Sequence, residues 1–181
     1  MKKINKLVLI ALLLAVGTAL HAIVPGFFFG MKPDLLLSTM FIAIFLLADK
    51  TNVMIIGLVA GMLSGLTSTL PGGLPANLID KIVTTLIIYL LFLAFRRLLP
   101  RVVNAIALTA VGTVISGTVF LTALMLVATL PTGFLAMFIT VVLPAAAINT
   151  VFIAILFPII IGILKQTNKN ILNNSGYPMN K

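Results

Sequence analysis

Cysteine is absent and histidine occurs once, at His21, which excludes disulfides, thiolate chemistry and Cys/His metal clusters. Acidic residues number three, all aspartates: Asp34, Asp49 and Asp80. The chain has neither a G-x-x-x-x-G-K-[ST] phosphate loop nor a His-Glu-x-x-His metal motif, and no hydroxyl nucleophile is paired with a base. It is therefore not expected to be an enzyme, to hydrolyse ATP or to carry a cofactor. Charged residues make up only 8% of the 181, far below a soluble domain, whereas 61% are hydrophobic and the mean hydropathy is +1.28. This is the composition of an integral membrane protein. A net charge of +9 would suggest nucleic acid as the partner of a soluble protein. Here the basic residues sit at the ends of apolar runs, so the lipid bilayer is the expected partner and nucleic acid is not.

A hydrocarbon core of about 30 Å takes roughly 20 helical residues per crossing, so this length supplies about six spans with short loops. The apolar runs fall at 7–24, 33–48, 52–70, 78–99, 102–130 and 134–164, separated by Pro-Gly turns, charges and asparagines. The pattern predicts an all-α, polytopic membrane protein, a bundle of six transmembrane helices filling one domain over 1–165, with a polar cytoplasmic tail over 166–181. The start MKKINK followed by an apolar run has the outline of a signal peptide, but the run continues to Val24 without a clean cleavage site and reads as the first span. The last span contains Pro144 and Pro158, which predict a kink, or a short outer helix before the true span. With the N-terminus inside, ten of the twelve basic residues lie on the inner side and only Lys32 and Lys81 on the outer. Lys and Arg are retained in cytoplasmic loops, so both termini are expected in the cytoplasm.

The outer rim carries the candidate site. Spans two, four and six enter from outside, so their partially positive N-terminal ends converge there, where a carboxylate would be welcome. Asp34 follows Pro33 in a first helical turn, and Asp80 lies three residues after Asn77 in a capping-box-like arrangement. Either acid can cap a helix or meet a ligand's ammonium, or do both. Lys32 and Lys81 can snorkel into headgroups or contact a substrate. Opposite charges sharing one rim have a reason to be near each other, because an unpaired ion at membrane depth is costly. Together they suggest a zwitterionic ligand. Phe27, Phe28 and Phe29, between Gly26 and Gly30, form either an interfacial anchor or an aromatic lid. His21 can bond a neighbouring helix or the ligand, and Asn149, inside span six, needs a polar partner. In span one, Ala11, Ala15, Thr18 and Ala22 share a face that serves either as an internal seam or for docking another membrane protein. Span three repeats glycine at Gly57, Gly61 and Gly65, a close-packing seam. Spans three and five share Ser-Gly-x-Thr-like pieces around Ser64 and Ser116.

The strings HAIVPGFFFGMKPDLLL, GLVAGMLSGLTSTLPGG and PANLIDK, within a likeness running from Lys6 to Lys165, resemble the bacterial tryptophan-transporter family. These small six-span proteins are similar to the substrate-binding S components of energy-coupling-factor (ECF) transporters. The resemblance implies tryptophan uptake across the bacterial cell membrane, a pocket in the outer half, loop gating, and ATP hydrolysis by separate ATPases. It also implies docking on an ECF transmembrane coupling subunit through an Ala-x-x-x-Ala motif, here Ala11 to Ala15. Tryptophan would bring its ammonium to Asp34 or Asp80, its carboxylate to Lys32, Lys81 or a helix start, and its indole to the phenylalanines. Alternatives are an S component for another flat nutrient such as a vitamin, a solitary ion-coupled amino-acid carrier, or a membrane scaffold.

Overall fold

The computed structural model describes residues 3–23, 34–128, 130 and 132–167. All regular structure among them is helical: α1 (Lys3–Ile23), α2 (Leu35–Leu47), α3 (Asn52–Leu66), α4 (Gly73–Phe95), α5 (Arg101–Val127) and α6. The last is a continuous run of Phe134–Met137, a π-helical turn at Phe138–Val142 and Leu143–Thr167. Helices α1, α4, α5 and α6 are long and apolar enough to cross a membrane; α2 and α3 are shorter apolar helices. The result is a polytopic, all-helical membrane bundle, as the hydropathy pattern predicts.

Helix α2 is its axis. From Leu36 to Leu47 every side chain is buried, and α2 packs against each of the other five helices. At 1.5 Å per residue its 13 residues span about 20 Å, well short of the hydrocarbon core. A helix surrounded by protein has no need to match the bilayer, and its uniformly apolar sequence fits burial on all sides. Phe45 is the hub of its packing, with the rings of Phe41, Phe92 and Phe157 at 6.2, 5.7 and 6.1 Å. The outward faces of the long helices carry large exposed apolar side chains such as Leu12, Leu90, Val111 and Ile155, a surface suited to lipid.

Two seams depend on absent side chains. Gly17 in α1 meets Thr39 and Leu36 of α2 where a Cβ would collide with the Thr39 hydroxyl. Along α3, a Cβ at Gly57, Gly61 or Gly65 would stand 3.1, 3.0 or 2.8 Å from backbone atoms of Lys81, Leu78 or Leu74 in α4. Without a hydrophobic drive between helices in lipid, such backbone proximity is what holds two helices together. The face of α1 turned inward is Ile10, Leu14, Gly17 and His21, whereas Ala11, Ala15 and Ala22 are exposed. The internal-seam reading of that alanine stripe is therefore corrected.

Several boundaries differ from those the sequence suggests. Helix α4 starts at Gly73, with Pro75 in its first turn, so the expected start at 78 is late. Proline in a first turn sacrifices no hydrogen bond that the helix would have made. Helix α3 stops at Leu66 instead of 70, its end held by Thr67 Oγ1, which donates to the Leu63 carbonyl at 2.8 Å. In α6 there is no separate outer helix. Pro144 lacks the N–H for the α ladder, and the wide π turn just before it keeps the run continuous. At the far end of α2, Asp49 ties three segments together. It accepts from Lys6 Nζ at 2.9 Å and from the Asn52 N–H at 2.9 Å. Partial burial raises its pKa, but the bonds from Lys6 and Asn52 outweigh that and hold it below the usual carboxylate range.

The close approach of α3 to α4 makes a specific expectation. Gly65→Ala forces its new methyl against Leu74 backbone and lowers stability by about 1–3 kcal/mol. Gly162→Ala, where a Cβ meets nothing within 4 Å, stays within about 0.5 kcal/mol of the parent. Thermal unfolding of both variants in the same detergent reads the difference.

Candidate functional site

Toward the Asp34 end of α2 the helices part around a cavity of about 90 Å³, room for several water molecules. All six contribute to its wall: His21 from α1, Asp34 and Leu37 at the start of α2, and Ser64 from α3. The wall further includes Asn77, Asp80 and Lys81 from α4, Thr113, Ser116 and Phe120 from α5, Val141, Val142, Ala145 and Asn149 from α6, and the segment after α3. The reason lies in α2. Because it is too short to cross a hydrocarbon core, at least one of its ends must fall within that core, and irregular backbone there is tolerated only when buried in protein or lining a cavity.

Lys81 is the centre of the polar wall. Its ammonium lies 2.7 Å from Asp34 Oδ2 and 2.5 Å from Asp80 Oδ2, with side-chain exposures of 2% for Lys81, 1% for Asp80 and 19% for Asp34. Each aspartate has its own serine: Ser64 donates to Asp34 Oδ2 at 3.1 Å and Ser116 to Asp80 Oδ2 at 2.8 Å. Thr84 donates to Asp80 Oδ1 at 2.9 Å, one turn along α4. Asp34 Oδ1 accepts the Leu37 N–H at 3.1 Å and stands 3.5 Å from His21 Nδ1. Taking three ions out of water costs several kcal/mol each, which close opposite charges and hydrogen bonds on the remaining lone pairs offset.

The two acids divide the work. Asp80, also in the lining, is almost fully buried and held by Lys81, Ser116 and Thr84. Asp34 keeps part of its carboxylate open to the cavity while capping α2 through Leu37, so its predicted capping role holds. The capping-box expectation for Asn77 and Asp80 does not. Because α4 begins at Gly73, Asn77 lies in its second turn, where its side-chain amide donates back to the Gly73 carbonyl at 2.7 Å. Asp80 bonds side chains and no helix-start N–H. Lys81 does not snorkel, since it is buried.

Six residues named from sequence thus line one cavity: His21, Asp34, Asn77, Asp80, Lys81 and Asn149. Phe27, Phe28, Phe29 and Lys32 lie outside the described residues. Ala11 and Ala15 are exposed on α1, away from the cavity lining. Sequence reasoning passes over Ser64 and Ser116 as seam residues and does not single out Thr84. Their signal is the pair of similar Ser-Gly pieces in spans three and five, which prove to do the same job for two different carboxylates. The lining also has apolar side chains, Phe120 on α5 and Val141, Val142 and Ala145 on α6, beside the polar Thr113, Ser116 and Asn149 of the same helices. The site therefore offers both signs of charge together with apolar side chains in one lining, which is suited to an amphipathic zwitterion. No group of three or more metal-ligating side chains occurs among the described residues.

Removing Lys81 leaves buried Asp80 and half-buried Asp34 without the cation they share. Lys81→Met is expected to cost about 3–5 kcal/mol of stability, whereas the exposed Lys165→Met stays within about 0.5 kcal/mol. Chemical or thermal unfolding in detergent measures both.

Comparison with known proteins yields a consistent set of matches. The family model described as "Tryptophan transporter TrpP" matches residues 3–165. A protein of Bacillus subtilis (strain 168) described as "Probable tryptophan transport protein" is 45% identical over 167 residues, 92% of this chain and 96% of its own. One of Clostridium acetobutylicum with the same description is 43% identical, covering 85% of this chain and 90% of its own. Another, of Clostridium perfringens, is 35% identical and covers 83% and 87%. No solved structure matches.

Proposed function

The chain belongs to the tryptophan transporter family, and from that premise we propose that it captures tryptophan in the cavity around Asp34 and Lys81 for uptake across the bacterial cell membrane. The observation that carries this reading is the ion cluster of Asp34, Lys81 and Asp80 in a cavity whose lining also includes Phe120, Val141 and Val142. The substrate ammonium meets the open side of Asp34. Its carboxylate meets the donor of Lys81 not used by the two aspartates, since an ammonium has three. The indole lies toward Phe120, Val141 and Val142. Asp80, Ser116 and Ser64 hold the charges in place. His21, beside Asp34, and Asn77 add to the polar lining, and Lys32, Phe27, Phe28 and Phe29 stay candidates for substrate contact on the sequence alone.

The basic residues support an orientation with both termini in the cytoplasm, which puts the cavity toward the outside. Energy would come from separate ECF-type subunits, because the chain has no phosphate loop of its own. The exposure of Ala11 and Ala15 on α1 supports that face as the place where a transmembrane coupling subunit docks. The S-component likeness itself rests on sequence strings.

Two measurements test the reading. Purified protein titrated with L-tryptophan should bind it, and Asp34→Asn, which keeps a good helix cap, should weaken binding about 10- to 100-fold. Wild-type affinity in that variant would move the ammonium contact elsewhere. For coupling, cells lacking ECF subunits should show no uptake by the chain alone and regain it when they are supplied. Full uptake without them would establish a solitary carrier.

A further inference from the structure

A cavity that takes tryptophan must tell an indole from other flat rings, and the role assigned below to Asn149 rests on that tryptophan reading. Asn149 lies in α6, fully buried, in the cavity wall. Its amide nitrogen donates across the α5–α6 seam to Thr113 Oγ1 at 3.4 Å. Thr113 gives its own hydroxyl proton to the Thr109 carbonyl, one turn back, at 2.9 Å. A hydroxyl has a single proton to give. Thr113 Oγ1 therefore meets Asn149 only as an acceptor, and the carboxamide must present its NH₂ there. The two ends of an asparagine amide are ordinarily assigned from such partners, and here the relay leaves one choice.

The consequence falls on the other end of the amide. Asn149 Oδ1 is buried with no hydrogen-bond partner among the described residues. A buried carbonyl oxygen left unpaired is costly, and native interiors seldom keep one without a use. On its own helix the lining is apolar one and two turns back, at Ala145 and Val142, and α5 adds Phe120 together with Thr113 and Ser116, while the ions themselves stand at the start of α2 and on α4. An indole matches this wall, being flat and apolar with one polar group, an N–H that donates and cannot accept. We propose that Asn149 Oδ1 accepts the indole N–H of tryptophan, and that Thr113 acts as the positioning residue that keeps this oxygen turned toward the ligand. Asn149 then sets specificity, rejecting rings that lack a donor at that place.

The test uses L-tryptophan and its isostere 3-benzothienylalanine, in which sulfur replaces the N–H within the same bicyclic outline. Wild-type protein should bind the isostere about 10- to 100-fold more weakly. In Asn149→Leu, tryptophan affinity should fall to near that of the isostere, so that their ratio approaches one. Thr113→Val, which keeps the oxygen but frees the amide to turn, should reduce the ratio several-fold. A purely structural role for Asn149 would weaken both ligands alike and leave the ratio as it was. Equal wild-type affinities, or a ratio that survives Asn149→Leu, overturn the proposal. If that variant does not fold, an unchanged ratio in Thr113→Val overturns it instead. Wild-type protein that binds neither ligand removes the tryptophan reading itself, and the Asn149 proposal with it.

Discussion

The burial of Lys81 between Asp34 and Asp80 is the constraint on which the cavity end of this bundle depends. An ammonium and two carboxylates held inside a helix bundle have little bulk water to fall back on, and each unmade contact there costs several kcal/mol. The helices that carry them, α2 and α4, are consequently locked in register, and Ser64 and Ser116 extend the lock to α3 and α5. The glycine face of α3 serves the same end. It brings the backbone of α3 against α4 at Lys81, Leu78 and Leu74, close enough for the short side chain of Ser64 to reach Asp34. Packing and electrostatics here are one arrangement: the seam sets the distance, and the charges set the register.

Much of this is legible in the sequence. Composition alone identifies a membrane bundle, and Pro-Gly turns with isolated charges divide it into six helices near their observed places. Putting Asp34, Asp80 and Lys81 at one end needs only the alternation of helix direction. Asp80 and Lys81 are neighbours in the chain and Asp34 is far from both, so nothing in their spacing discloses that a single lysine bridges the two acids. That contact depends on how α2 packs against α4. The same limit explains Ser64 and Ser116. A serine beside glycine in a membrane helix reads as a small packing residue, and only the tertiary partner reveals the hydroxyl as a hydrogen-bond donor to a carboxylate.

Asn77 marks a different kind of miss. Pro75 reads as loop because proline commonly interrupts helices, yet in a first turn it costs nothing. Once α4 is extended back to Gly73, the asparagine that would have capped it becomes an interior residue bonding its own backbone, and Asp80 is released from capping to pair with Lys81. A shift of a few residues in one helix start thus changes the reading of an acid two turns away. The likeness to the tryptophan-transporter family, by contrast, is carried by the loop strings and agrees with the family model over residues 3–165.

The burial of α2 also bears on how the site meets its membrane. Bilayers differ in thickness, and a spanning helix exposed to lipid answers by tilting or by distorting its surroundings. None of the side chains from Leu36 to Leu47 reaches the surface, and Asp34 stands at the head of that helix. Membrane thickness therefore acts on the outer helices and reaches Asp34 only through their side-chain contacts with α2. The charged wall is carried on an internal post, insulated by protein from the elasticity of the lipid around it.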